Sequence, residues 1–297
     1  MEKSCDGKCD LCAESDSCTD NRRLLFEQER RLKANMRKIK HKLVVISGKG
    51  GVGKSTVTAN LAIALAKSGF KVGVLDADIH GPSIPKMLGV RGETLISGPP
   101  GVFPVFGPLG IRIVSMDFLL EDDVPVIWRG PLKMTAIRQF LSDIMWGELD
   151  ILLVDLPPGT GDEPLSVIQL IPEMDGAIIV TIPSEVSQIV VKKAVNFARQ
   201  LNVSVVGIVE NMSGFICPRC GAEVDIFKKG GGRKIAEDLG VPFLGSIPID
   251  PTICADSDSG VSFTIAHKNS LAAKAFIGIV DHIQEFLKTS SKVAGST

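Results

Sequence analysis

The stretch GKGGVGKST, residues 48–56, has the make-up of a loop that wraps phosphate. It fits the pattern G-x-x-x-x-G-K-[ST], with an apolar strand before it and a helical pattern after it, the context this chemistry requires. Gly48, Gly50, Gly51 and Gly53, with Val52 among them, let the backbone bend until its N–H groups face phosphate oxygens. The positive end of the following helix adds to the attraction. Lys54 is expected to reach the β- and γ-phosphates, Ser55 to ligate Mg²⁺, and Thr56 to complete the nucleotide-binding loop. Two further stretches put carboxylates at strand ends: Asp76 and Asp78 in VLDADIHGPS, and Asp155 in ILLVDLPPGTGD. An aspartate at the end of an apolar strand beside a phosphate loop holds Mg²⁺, usually through water. A strand-end aspartate also commonly caps the next helix.

Cysteine is the second chemistry. Cys217 and Cys220 stand as CxxC in GFICPRCGAE. They supply two thiolates, whereas iron–sulfur clusters and structural zinc take four ligands. The first twenty residues carry Cys5, Cys9, Cys12 and Cys18, the last three as C-x₂-C-x₅-C. Fe–S, zinc or no metal are all open for this group. Cys254 stands alone and is expected to be a buried or idle thiol. His41, His80, His267 and His282 are scattered, and none is assigned to a metal.

These residues need a scaffold, and 297 residues with 44% hydrophobic content are enough for one large α/β domain. Short apolar runs, KLVVISG, KVGVLDAD, DILLVDLPPG, DGAIIVTIP, VSVVGIVEN and PFLGSIP, read as strands covered on both faces. Helical patterns fall between them, near 131–146, 163–171, 185–201 and 231–239, with a last helix at 268–288. Alternation of this kind predicts a mostly parallel sheet with helices on both faces. The Gly- and Pro-rich segment 89–125 is expected to hold a local hairpin. The domain reading is a cysteine-rich segment 1–20, a basic and solvated linker helix 21–41, a nucleotide-binding domain 42–289 and a flexible tail 290–297. A net charge of −1 argues against a dedicated nucleic-acid binder. No apolar run reaches the length of a membrane span, and MEKSCDGKCDLC has no apolar signal region. A cytoplasmic protein without membrane or nucleic-acid partners is the expectation, and in a reducing compartment clustered cysteines are more often metal ligands than disulfides.

Lys49 narrows the loop further. K-G-G-x-G-K-[ST] resembles the deviant Walker A ATPases, which include MinD and ParA positioning ATPases, the nitrogenase iron protein and Fe–S scaffold ATPases. The resemblance implies that Lys49 crosses to a partner's nucleotide in a face-to-face homodimer. It also implies that Asp78 positions the attacking water, that Gly159 offers its N–H to the γ-phosphate, and that Asn211 reads the adenine edge. DADIHGPSIPKMLG, WRGPLKMTAIRQFL, WGELDILLVDLPPGTGDEPLS and ENMSGFICPRCG resemble, more narrowly, the Mrp/ApbC Fe–S cluster carrier family. FKKGGGRKIAEDLG does so too, but Lys228 and Lys229 depart from that family's F-G-x-G-G-G. The likeness runs from about residue 40 to 285. It implies that Cys217 and Cys220 of two subunits together hold a bridging [4Fe–4S] cluster, which is passed to apoproteins. It likens the N-terminal cysteines to the ferredoxin-like motif of eukaryotic cytosolic scaffold ATPases, in which the first cysteine lies further upstream than Cys5. A positioning ATPase, an ATP-gated reductase and a zinc-stabilised binding module remain the rival classes.

Overall fold

A computed structural model describes residues 20–78, 81–99, 101–119, 130–217 and 219–294. Cys5, Cys9, Cys12, Cys18 and His80 lie outside the described residues. In chain order the first half comprises α1 (Asp20–Met36), β1 (Ile39–Ser47), α2 (Lys54–Lys67), β2 (Val72–Asp76), α3 (Ile84–Met87), β3 (Ile96–Gly98), β4 (Gly101–Phe103), β5 (Val105–Phe106), β6 (Arg112–Ser115) and α4 (Gly130–Asp143). The second half comprises β7 (Leu149–Asp155), α5 (Asp162–Leu170), β8 (Gly176–Thr181), α6 (Glu185–Gln200), β9 (Val205–Glu210), β10 (Phe215–Ile216), β11 (Glu223–Val224), α7 (Gly231–Leu239), β12 (Phe243–Ser246), α8 (Pro251–Ser259), α9 (Phe263–Ala266) and α10 (Leu271–Ala294).

One eight-stranded sheet runs β12, β9, β8, β1, β7, β2, β6, β5. Every neighbouring pair is parallel except the edge pair β5–β6. Alternate residues of β1 enter opposite cores. Leu43 and Val45 join the side chains of α2 and α10. Val44 and Ile46 join those of α1, α4, α6 and α7. Burial on both faces is why these strands read as continuous apolar runs. The sheet has the mostly parallel order, with a helical layer on each face, that the β/α alternation implies. β1 sits between β7 and β8, so the loop after it opens where the strand order reverses, the usual ligand position in open α/β sheets.

Three expectations need correction. α1 is not a solvated linker: Leu32 and Met36 are buried. Asn35 donates its amide to the carbonyls of Ser142, at 2.7 Å, in the last turn of α4, and of Ile144, at 3.1 Å, just past its end. The basic residues of α1 masked this apolar stripe. β1 begins at Ile39, inside the stretch read as linker. α10 runs to Ala294, through most of the expected tail, because no glycine or proline lies between residue 288, its expected end, and Gly295. The Gly- and Pro-rich segment does contain a hairpin, β3–β4, and it also contains a core strand, β6, that pairs with β2.

Candidate nucleotide and thiolate sites

The carboxyl ends of β1, β2, β7 and β9 converge on the phosphate loop. Gly51 and Gly53 sit at φ 76° and 78°, a left-handed conformation that L side chains rarely adopt. A Cβ on Gly53 would also collide with the Asn211 amide. Gly48 has a different reason to be glycine: a Cβ there would lie 2.6 Å from the Val190 carbonyl oxygen of α6. Lys49 is half-buried and Gly50 exposed.

Asp155 ends β7, fully buried, and gathers three donors. Lys54 Nζ lies 2.5 Å and Ser55 Oγ 2.6 Å from its Oδ2. Thr58 Oγ1 lies 2.7 Å from its Oδ1. Ser55 and Asp155 thus bring hard oxygen donors together, a set that suits Mg²⁺. Positive φ in the loop and that donor set fit a nucleotide with its cation. Thr58 was not singled out from the sequence. One helical turn after Lys54 is the signal that could have found it.

Asp76 is the register partner of Asp155 on β2. It is buried, and its carboxylate accepts from the N–H groups of Asp78, Ser83 and Ile84 and from Ser115 Oγ. It therefore shapes the loop that carries Asp78. Burial first, and then the Asp155 charge, push its pKa up to about 8, against the pull of Lys54 and of the Ile84 and Asp78 N–H groups. Gly159 lies in the loop after β7. Its N–H is directed at the Ser47 carbonyl, at 2.8 Å, and fastens the loop after β7 to the end of β1. A phosphate contact from Gly159 requires that bond to open.

Asn211 follows β9 and donates its side-chain amide to the Val52 carbonyl at 2.9 Å. Beside it stands Glu210, fully buried and passed over in the sequence. Its Oε1 accepts from Ser213 Oγ at 2.5 Å and from Gly230 N–H at 3.0 Å. Its Oε2 accepts from Gly232 N–H in the first turn of α7.

Cys217 and Cys220 lie in the turn of the β10–β11 hairpin. Cys217 N–H donates to the Ala222 carbonyl and the Cys217 carbonyl accepts from Gly221 N–H, both at 2.9 Å. The backbone N–H groups of Cys220 and Arg219, and then the Cys220 side chain, hold the Cys217 thiol below its ordinary pKa. That favours the thiolate, the form that binds metal. Both cysteines are free thiols, as is Cys254 on the exposed face of α8. Among the described residues, no group of three or more His, Cys, Asp or Glu side chains is placed to hold a metal. Exposed apolar side chains flank the hairpin: Ile216, Val224, Ile226 and Phe227, with Val186 and Ile189 at the start of α6. The two sites are separate, and the 210–214 stretch joins them. No helix among the described residues is long and apolar enough to cross a membrane.

Comparison with known proteins agrees with this geometry. Residues 38–284 match the model of a ParA-type family described as NUBPL iron-transfer P-loop NTPase. An iron-sulfur cluster carrier protein of Methanocaldococcus jannaschii is 56% identical over 95% of this chain and 97% of its own. The cytosolic Fe-S cluster assembly factor CFD1 of Eremothecium gossypii is 46% identical over 84% of this chain and 93% of its own. Among solved structures, an ADP-bound nucleotide-binding protein from Archaeoglobus fulgidus superposes with a TM-score of 0.71 at 44% identity, covering 79% of this chain and 92% of that one. The cell division ATPase MinD of Pyrococcus furiosus shares the fold, with a TM-score of 0.59 at 23% identity over 83% of this chain and 99% of that one. With a phosphate loop and paired strand-end aspartates on one mostly parallel sheet, and a cysteine hairpin beside it, the chain belongs to the NUBPL iron-transfer P-loop NTPase family.

Proposed function

We propose that the chain is a cytoplasmic, ATP-hydrolysing carrier that holds a [4Fe–4S] cluster between two copies of itself and delivers it to apoproteins. One observation carries this reading. Two cysteines, one held below its ordinary pKa, sit on an exposed apolar face with no further ligand group gathered among the described residues. Two thiolates make half of a cluster site, and a second copy related by twofold symmetry supplies the other half. The apolar side chains around the hairpin are what such an interface would cover. The cysteine-rich segment 1–20 remains a second candidate cluster or zinc site.

ATP binds by its phosphates to the loop Gly48–Thr56, with Lys54 on the β- and γ-phosphates. Lys54 then shares its charge between phosphate and Asp155. Ser55, and Asp155 through water, would hold Mg²⁺, which would neutralise phosphate charge. The Asn211 amide uses one N–H on Val52, which leaves its second N–H and its oxygen for the adenine edge. Asp78 positions a water whose oxygen attacks the γ-phosphorus as the bond to the β-phosphate breaks. Lys49 of the second copy stabilises the charge that develops. Gly159 joins when its bond to Ser47 opens, which links hydrolysis to the loop after β7. Closure and relaxation of the dimer change the exposure of the cluster.

Anaerobic reconstitution with iron and sulfide tests the cluster site. In a chain with Cys5, Cys9, Cys12 and Cys18 changed to Ala, the visible and Mössbauer signature of a [4Fe–4S] cluster should form and pass to an apoprotein. Adding Cys217→Ala should abolish both while ATP binding persists. A full cluster signature in the Cys217→Ala protein would refute the bridging site.

A further inference from the structure

The structure assigns Glu210 a role outside the nucleotide and cluster sites: it is the positioning residue that transmits nucleotide occupancy to the cysteine hairpin. The inference rests on the carrier reading above and extends it from two sites to the connection between them.

The connection is short. Asn211 is bonded to the Val52 carbonyl inside the phosphate loop, and only a glycine at position 53 lets it approach so closely. Glu210 is its chain neighbour. Its carboxylate is fully buried and holds both ends of the segment that carries Cys217 and Cys220. Ser213, at the entry, donates to Oε1 at 2.5 Å. Gly230, at the exit, donates its N–H to the same oxygen at 3.0 Å. Gly232 donates to Oε2, so the first turn of α7 is fixed as well. Gly232 must be glycine for this, because a Cβ there would lie 2.9 Å from Glu210 Cβ. The entry is pinned a second time by Ser213 N–H to the Ile247 carbonyl at 2.9 Å.

A segment whose two ends meet on one carboxylate moves as that carboxylate moves. A shift of Asn211 on binding the base must be passed to Glu210, since one peptide bond joins them. Charge-assisted hydrogen bonds in a buried setting are short and directional, so the movement is transmitted rather than absorbed by slack. Glu210→Gln replaces one acceptor oxygen by an N–H₂ that faces either the Ser213 and Gly230 donors or Gly232 N–H. Either orientation sets donor against donor and breaks the clamp, while the phosphate loop keeps its own residues.

The test reads both sites in the full chain, without cluster. The rate at which a maleimide labels Cys217 and Cys220, resolved by peptide mass spectrometry, is measured with and without Mg·ATP. Affinity for ATP is measured in parallel. In the wild type, Mg·ATP should slow labelling at least about fivefold, the low end of ordinary coupling between sites. In Glu210→Gln the ratio should fall below about twofold, with ATP affinity within about threefold of wild type. Ser213→Ala, which removes one part-buried hydrogen bond and no core group, should at least halve the ratio, and it decides the matter if Glu210→Gln does not fold. A wild-type ratio retained in Ser213→Ala and in folded Glu210→Gln overturns the role of Glu210 alone. A wild type whose labelling ignores Mg·ATP overturns the nucleotide–cluster linkage of the carrier reading, and the inference with it.

Discussion

At the scale of residues, the nucleotide site depends on two adjacent buried aspartates with different surroundings. Asp155 pairs directly with Lys54, while Asp76 is bonded only by N–H and O–H donors and feels the Asp155 charge more strongly than that of Lys54. A carboxyl whose pKa is raised from 3.8 to about 8 binds its proton more tightly folded than unfolded. Its contribution to stability is therefore fully present below about pH 4 and is lost as the pH rises to about 8. Urea unfolding of the nucleotide-free protein at pH 5 and pH 8 should show this as a difference from Asp76→Asn. The wild type should lose stability relative to the variant at the higher pH, and a gap that ignores pH would contradict the burial argument. The phosphate loop, Asp155 and the CxxC pair were legible in the sequence because spacing alone defines them. Glu210 and Thr58 were not, because a carboxylate or hydroxyl declares its role only through partners distant in sequence. Asp76 was legible as a strand-end carboxylate, but its place as an acceptor for the loop after β2 required the fold.

At the scale of elements, strands buried on both faces announce themselves as apolar runs, and six were legible for that reason. β6 was not, because RIVS is only four residues long and follows a Gly- and Pro-rich stretch, and β10 and β11 were not, because two residues carry no period. α1 shows how charge can hide a docking stripe. Leu32 and Met36 face α4 among many basic residues, and core contacts among the described residues begin with them. Removing residues 1–19 should therefore leave the melting temperature within about 2 °C of the full chain. Removing residues 1–37 should lower it by roughly 10 °C, because two buried side chains and the Asn35 bonds at the end of α4 go with it. Equal melting temperatures for the two truncations, by calorimetry, would show that α1 adds nothing to the core. Lys228 is a local departure of the same kind. It stands where the resembled carriers have glycine, holds φ 71°, and reaches Glu185 at 2.7 Å, so the exit of the cysteine segment is tied to α6.

At the scale of the molecule, the sheet presents the phosphate loop and the thiolate hairpin on separate loops that share the end of β9. The proposed carrier function requires a second copy, to complete the ligands begun by Cys217 and Cys220 and to cover the apolar side chains around them. Native mass spectrometry of the anaerobically reconstituted chain, with Cys5, Cys9, Cys12 and Cys18 changed to Ala, tests that claim most directly. The carrier account predicts two chains with one [4Fe–4S] cluster, and chains without cluster when Cys220→Ala is added. A single chain that keeps a complete cluster, or a dimer that keeps one after Cys220→Ala, would contradict it.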